Sequence, residues 1–201
     1  INISASPFRE NKFKDRVNLV RSKVNEIKIP FLYCNLVGAQ DELVFDGSSF
    51  ALDKNGNCIS HCKSFEEDIL YTDLASHSTK HIKYATKCED LFNALCLGIK
   101  DYFKKTKNKE AVIGLSGGID SAVVACVASY ALGNKSVYGV SMPSKFSSDH
   151  SKFDAEELAK NLNINYQSIS IQNIVDKLEE ELSESFSGTS RDVSEENIQS
   201  R

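Results

Sequence analysis

The stretch Val112-Ile-Gly-Leu-Ser-Gly-Gly-Ile-Asp-Ser121 decides how the second half of the chain folds. From Ala111 to Leu115 it is apolar and β-branched, the pattern of a strand buried on both faces. A pair of glycines follows, then Ala122-Val-Val-Ala-Cys-Val-Ala, which favours helix and contains no breaker. Strand, glycine turn and helix in succession put bare backbone N–H groups at a helix N-terminus, where the dipole favours an anion. Gly117 and Gly118 are free to take positive φ and admit phosphate oxygens to the main chain. Ser116 and Ser121 add hydroxyl donors. Asp120 would repel a phosphate unless a cation lay between them, and Mg²⁺ takes one or two carboxylates together with phosphate oxygens. An ordinary βα turn with two glycines is the plain alternative. The Walker P-loop is excluded, because no lysine follows the glycines.

Outward from this stretch the pattern is regular. Residues 85–105 read as a helix with an apolar stripe of Leu91, Phe92, Leu95, Cys96, Ile99, Tyr102 and Phe103, and lysines near its C-terminal end. The helix from Asp120 stops near Leu132, before Gly133-Asn134. Ser136 to Met142 is a second strand closed by Pro143, and a serine-rich loop (144–151) leads to a helix burying Phe153, Leu158 and Leu162. Residues 164–171 form a third strand and 172–182 a further helix. This βαβαβα order implies a doubly wound parallel sheet with right-handed crossovers. Ligands of such sheets lie beyond the strands' carboxyl ends, where residues 116–121 and 142–148 both emerge.

Composition bounds the function. The 201 residues carry a net charge of −4, 41% hydrophobic and 26% charged residues, and a mean hydropathy of −0.31. That balance gives no basic footprint for nucleic acid and no membrane span, so neither partner is expected. Six cysteines lie scattered without zinc spacing, which suits a reduced, cytoplasmic compartment. A homo-oligomer is expected. The chain opens on Ile1 and stops at Arg201 in what reads as mid-helix, so a fragment is expected.

The first half is β-rich. Residues 1–8 read as a strand entering a turn, and 11–29 as an amphipathic helix with six basic side chains on a solvated face and apolar positions at Val17, Leu19, Val20, Val24 and Ile27. Strands follow over 29–52, with Asp53-Lys-Asn-Gly56 as a hairpin signal. Residues 64–83 lack a sustained period and read as a connection, with Phe65 to Asp68 a short element. His77 and His81 have helical metal spacing but no third ligand nearby, so solvated histidines are the reading there.

Ser116-Gly-Gly-Ile-Asp-Ser121 resembles the pyrophosphate loop of the ATP pyrophosphatases, which cleave ATP to AMP and pyrophosphate. The wider resemblance is to glutamine-dependent NAD⁺ synthetases. Ser4-Ala-Ser-Pro-Phe8 and Tyr33-x-Asn-x-Val-Gly-x-Gln-Asp-Glu-Leu-Val-Phe-Asp-Gly47 are similar to their nitrilase-type amidase domain. Leu91-Phe-x-Ala-Leu, Gly98-Ile-x-Asp-Tyr, Met142-Pro-Ser-x-x-Ser-Ser, Asp154-Ala-x-x-Leu-Ala and Asp192 to Arg201 are similar to the ligating domain. The fold implied is the C-terminal part of a nitrilase-like α-β-β-α domain (1–70), a linker (71–84), and the N-terminal part of an adenine-nucleotide α-hydrolase-like, ATP-pyrophosphatase domain (85–201).

The resemblance implies ATP-dependent amidation of deamido-NAD⁺ through an acyl adenylate, with ammonia from glutamine. Gly114, Leu115, Ser116, Gly117, Gly118, Ile119, Asp120 and Ser121 would bind ATP, with Mg²⁺ on Asp120. Asn197 would contact deamido-NAD⁺, and Ser6 and Lys12 would hold glutamine. The amidase's glutamate, lysine and cysteine are expected N-terminal to Ile1, with no glutaminase triad in this chain. Cys34 is read as a core residue rather than a nucleophile. Another amidotransferase or thiolase of the same loop class, or a non-catalytic nucleotide-binding remnant, are the alternatives.

Overall fold

The structure is a computed structural model that describes residues 1–75, 79–185 and 187. Its contacts divide it into two compact units, residues 1–107 and 108–201.

In the first unit, β1 (Asn2–Ser4), β2 (Phe31–Asn35), β5 (Phe50–Leu52) and β6 (Cys58–His61) form a sheet in the order β1-β2-β5-β6, with β1 parallel to β2 and the other pairs antiparallel. Helix α1 (Lys12–Ile27) lies on one face: Val17, Val20 and Val24 close a core with Phe50, Leu52 and Cys58, and Phe31 and Tyr33 pack at its edge. Burying such a valine contributes about 1.5–3 kcal/mol. Leu19 and Ile27 are exposed, off the buried stripe. Side chains alternate along a strand, so Cys34, next to Tyr33, points to the face that α1 does not cover. It is exposed there, correcting its reading as a core residue. The basic face of α1 also needs correction at Arg16, which is only 5% exposed.

A hairpin of β3 (Val37–Gln40) and β4 (Leu43–Asp46) follows β2. Helix α2 (Lys87–Thr106) opens with a capping box between Thr86 and Glu89 and packs against this hairpin. It was expected to open the second domain; its contacts lie in the first unit. Its buried side chains are Ala94 and Cys96, while Leu91, Leu95 and Tyr102 of the expected stripe are exposed. Residues 65–68 form no helix or strand; Phe65 N–H instead donates to Asp46 O (2.9 Å). The connection before α2 is held to the unit, with Lys80 N–H bonded to Cys58 O (2.7 Å) and Ile82 on the core.

In the second unit, β7 (Ala111–Gly114), β8 (Val137–Ser141) and β9 (Asn165–Ser168) form a parallel sheet in that order. The connections run through α3 (Ile119–Leu132) and α4 (Asp149–Leu162), and α5 (Gln172–Leu182) follows β9. Right-handed crossovers in the order β7-β8-β9 place α3 and α4 on one face, where they contact each other and the strands. Leu115, Val137, Ala125, Ala128, Ala155 and Ala159 fill the layer between. Gly139 is bare because a Cβ there would fall 2.5 Å from Leu115 Cδ1. On α4 the small side chains bring the helix close to the sheet, and Phe153, two residues before Ala155, is exposed rather than buried. The expectation that β7 is buried on both faces also fails: Val112 points away from α3 and is 74% exposed. Among the described residues no helix is long and apolar enough to cross a membrane.

Candidate nucleotide and glutamine sites

The loop between β7 and α3 is drawn tight by its own hydroxyls. Ser121 Oγ donates to Gly118 O (3.0 Å), accepts from Ser116 N–H (3.3 Å) and lies 3.2 Å from Ser116 Oγ. Ser116 Oγ accepts from Gly118 N–H (3.2 Å). The first intrahelical bond of α3 runs from Ala122 N–H to Gly118 O (3.2 Å). The N–H groups of Ile119, Asp120 and Ser121 therefore precede the helix ladder, and the N-cap Gly118 offers no side chain to cap them. They form the positive end of a 14-residue helix dipole.

Gly117 has φ +80°, a conformation that disfavours any side chain, and a Cβ there would lie 2.3 Å from Ser151 O and 2.7 Å from its Cα. Two glycine requirements thus coincide. The loop packs directly on the first turn of α4, whose N-cap Ser148 accepts from Ser151 N–H (3.1 Å). The serine-rich loop and the glycine loop converge, as their positions at the strand ends imply.

Cavities flank the loop on two sides. One of about 360 Å³ is lined by Gly114, Leu115 and Ser116 from the glycine loop, Met142 and Pro143 from the end of β8, and Lys152 of α4. The other, about 390 Å³, is lined by Gly117, Gly118, Ile119 and Ser121 with Asp154 and Asn161. Asp120 is exposed on the first turn of α3. No group of three His, Cys, Asp or Glu that could hold a metal exists among the described residues. A carboxylate beside an anion-accepting loop suits Mg²⁺, which completes its shell with water and phosphate oxygens, and suits zinc poorly.

Ser6 and Lys12, expected to share a glutamine pocket, have different surroundings. Ser6 is tied into a buried polar knot. Its N–H donates to Asn35 Oδ1 (2.9 Å), its C=O accepts from Asn35 Nδ2 (3.2 Å), and Arg16 Nη2 lies 3.4 Å from both its C=O and its hydroxyl. Arg16 makes a forked pair with Asp46 (3.0 and 3.2 Å), which also accepts from Asn35 Nδ2 (3.3 Å). Lys12, in the first turn of α1, instead lines a cavity of about 240 Å³ with Asp46, Ser48, Lys83 and Asp90. Burial there, reinforced by the Asp46 and Glu89 carboxylates, pushes the Asp90 carboxyl above its ordinary range.

Asn35 and Asp46 lay inside the quoted amidase-like segment, but nothing marked Arg16 as their partner. Its only signal was a cation about one turn into a helix whose neighbours Val17 and Val20 are apolar. Asn197 and His77 lie outside the described residues, and His81 is exposed.

Comparison with known proteins gives the family. The family model described as NAD synthase matches residues 91–201. A glutamine-dependent NAD(+) synthetase of Synechocystis is 42% identical across all of this chain, and that of Thermotoga maritima 36%. The chain spans 37% and 41% of those relatives' lengths. Among solved structures, a glutamine-dependent NAD⁺ synthetase from Acinetobacter baumannii in complex with ADP superposes with a TM-score of 0.88 at 28% identity, over 97% of this chain and 38% of that one.

Proposed function

The chain belongs to the NAD synthase family, and from that premise we propose that it forms part of an enzyme that amidates deamido-NAD⁺ to NAD⁺ at the expense of ATP, with glutamine or ammonia as nitrogen source. The observation that carries this reading is the β7–α3 loop, built to receive an anion between two cavities. That a structural relative is bound to ADP supports the use of an adenine nucleotide.

A carboxylate is inert toward ammonia at neutral pH, so it is first activated. A nicotinate carboxylate oxygen attacks the α-phosphorus of ATP, and the bond from that phosphorus to the bridging oxygen breaks. Pyrophosphate leaves and an acyl adenylate remains. The N–H groups at the start of α3 and the Ser116 and Ser121 hydroxyls stabilise the charge gathering on the leaving oxygens. Mg²⁺, held by Asp120, would supply further charge neutralisation. Ammonia then adds through its lone pair to the acyl carbon, AMP departs with the C–O bond electrons, and a proton is lost to give the amide. Asn197 is the residue we assign to deamido-NAD⁺.

We assign residues 1–70 to the C-terminal part of a nitrilase-like amidase domain, 71–84 to the connection and 85–201 to the start of the synthase domain. Ser6 and Lys12 are the glutamine contacts in this reading, Ser6 fixed by Arg16 and Asn35. That none of the six cysteines is in a disulfide among the described residues suits a cytoplasmic enzyme. The test is stoichiometric. With ATP, Mg²⁺, deamido-NAD⁺ and ammonia, the full-length polypeptide carrying these residues yields NAD⁺, AMP and pyrophosphate in equal amounts; formation of ADP and phosphate instead would overturn the adenylate route.

A further inference from the structure

Helix α2 carries two assignments at once. The NAD synthase match takes it in from residue 91, yet its packing is with the β3–β4 hairpin of the first unit. The contact is specific. In an antiparallel pair every second residue turns its N–H and C=O away from the partner strand, and on β3 Ala39 does so. Its N–H donates to Asp101 Oδ2 (2.8 Å), and its C=O accepts from Lys105 Nζ. Asp101 and Lys105 stand four apart, on one face of α2. Together they satisfy the polar groups that a third strand would otherwise take, on an edge that would stand open.

The neighbouring glycines fit the same contact. A Cβ on Gly38, at φ +138°, would meet Asp101 Oδ2 at 3.0 Å, and Gly98, one turn before Asp101, faces Val44 Cγ2 of β4. Ala39 is 6% exposed beneath the helix. After Thr106, residues 107–110 are the whole connection to β7, the strand that presents the nucleotide loop.

We propose that Asp101 and Lys105 are positioning residues that couple the two half-reactions, clamping the helix that leads to β7 onto the amidase-side hairpin so that ammonia released in one half is used in the other. This rests on the function proposed above, since without glutamine-derived ammonia there is nothing to couple. Both side chains are engaged with the Ala39 main chain. Loosening the clamp leaves adenylation intact and lets ammonia escape.

The experiment compares wild type, Asp101→Leu, Asp101→Asn and Lys105→Met in the full-length polypeptide. Each is assayed for glutamate released per NAD⁺ formed with glutamine, for NAD⁺ formation with free ammonia, and for exchange of the Ala39 amide hydrogen. Expected for Asp101→Leu is a rise of about twofold or more in glutamate per NAD⁺, as misplacement of a supporting element produces, with the ammonia rate unchanged and Ala39 exchanging faster. Asp101→Asn keeps an oxygen acceptor and restores the ratio, which a purely structural loss would not do. If Asp101→Leu does not fold, Lys105→Met, which removes the other half of the clamp, decides by the same ratio. A wild type inactive with both donors would contradict the proposed function. A wild type active with both, whose folded clamp variants keep its ratio, would contradict the coupling alone.

Discussion

Ser6 and Ser116 are both assigned to ligands, and their surroundings are opposite. Ser6 gives its N–H, its C=O and its hydroxyl to Asn35 and Arg16, residues 29 and 10 positions away. Among the described residues Ser116 bonds only within its own loop, to Gly118 and Ser121, and is exposed to a cavity. One site is rigid because distant residues hold it; the other is rigid because a short loop folds back on itself. The difference teaches where mutation acts. Disturbing the Ser6 knot costs stability of the first unit, whereas disturbing the loop costs ligand affinity.

The largest effect is expected in the knot. Arg16→Met strands the Asp46 carboxylate, whose partner geometry is 3.0 Å with both side chains under 5% exposed. Leaving one buried charge unpaired costs about 3–5 kcal/mol, read as a lower urea midpoint. Arg16→Met with Asp46→Leu recovers much of that loss if the charge, rather than packing, is responsible. A double variant no more stable than the single one would remove the ion-pair explanation.

Next comes the loop. Gly117→Val should reduce ATP affinity about 100-fold, roughly 2.8 kcal/mol. The sequence suggests steric exclusion of phosphate; the structure gives a different first cause, since the new Cβ strikes the Ser151 main chain and drives α4 away. Gly133 is the control. It also has positive φ, at +85°, but nothing lies within 4 Å of its Cβ position. Gly133→Ala should cost about 1 kcal/mol of stability and leave ATP affinity unchanged. Calorimetry that found equal affinity losses at both glycines would make strain alone the cause.

A smaller effect concerns His61 in the first unit, stacked on Phe13 at 4.9 Å. Burial holds its pKa below the ordinary 6.5, and its Nε2 has no hydrogen-bond partner among the described residues. The unfolded chain then binds the proton more readily than the folded one. His61 therefore takes stability away as pH falls below about 6.5 and has no effect well above it. His61→Phe should flatten the dependence of Tm on pH between about 7 and 5. An unchanged slope would place the titration elsewhere.

What could be read in the sequence follows the same division. The strand–loop–helix at residues 111–132 was legible because its signals are local: β-branched run, glycines, alanine-rich helix. The alternation of strands and helices to residue 182 was legible for the same reason. Misreadings arose where a face had to be chosen. Cys34 and Phe153 are apolar in type but lie on faces left exposed among the described residues, and Leu91 and Leu95 lie off the line by which α2 meets the hairpin. Arg16 was misread because its partner, Asp46, is 30 residues away. Periodicity says that an element has two faces; only long-range pairing says which is buried. Asp101 was visible in a family-like motif, but its job, receiving one backbone N–H of β3, depends on a residue 62 positions earlier.

The central claim is that the β7–α3 loop, with Asp120 holding Mg²⁺, carries the adenylation step. It is tested most directly by deamido-NAD⁺-dependent exchange of labelled pyrophosphate into ATP, in the full-length polypeptide and its Asp120→Asn variant. Asp120 is exposed on the helix, so the substitution should leave the fold intact. The account predicts exchange in the wild type and a loss of about 100-fold or more in the variant, with thermal stability unchanged, the scale of removing a charge stabiliser from a transition state. Exchange at the wild-type rate in a folded Asp120→Asn protein would contradict it.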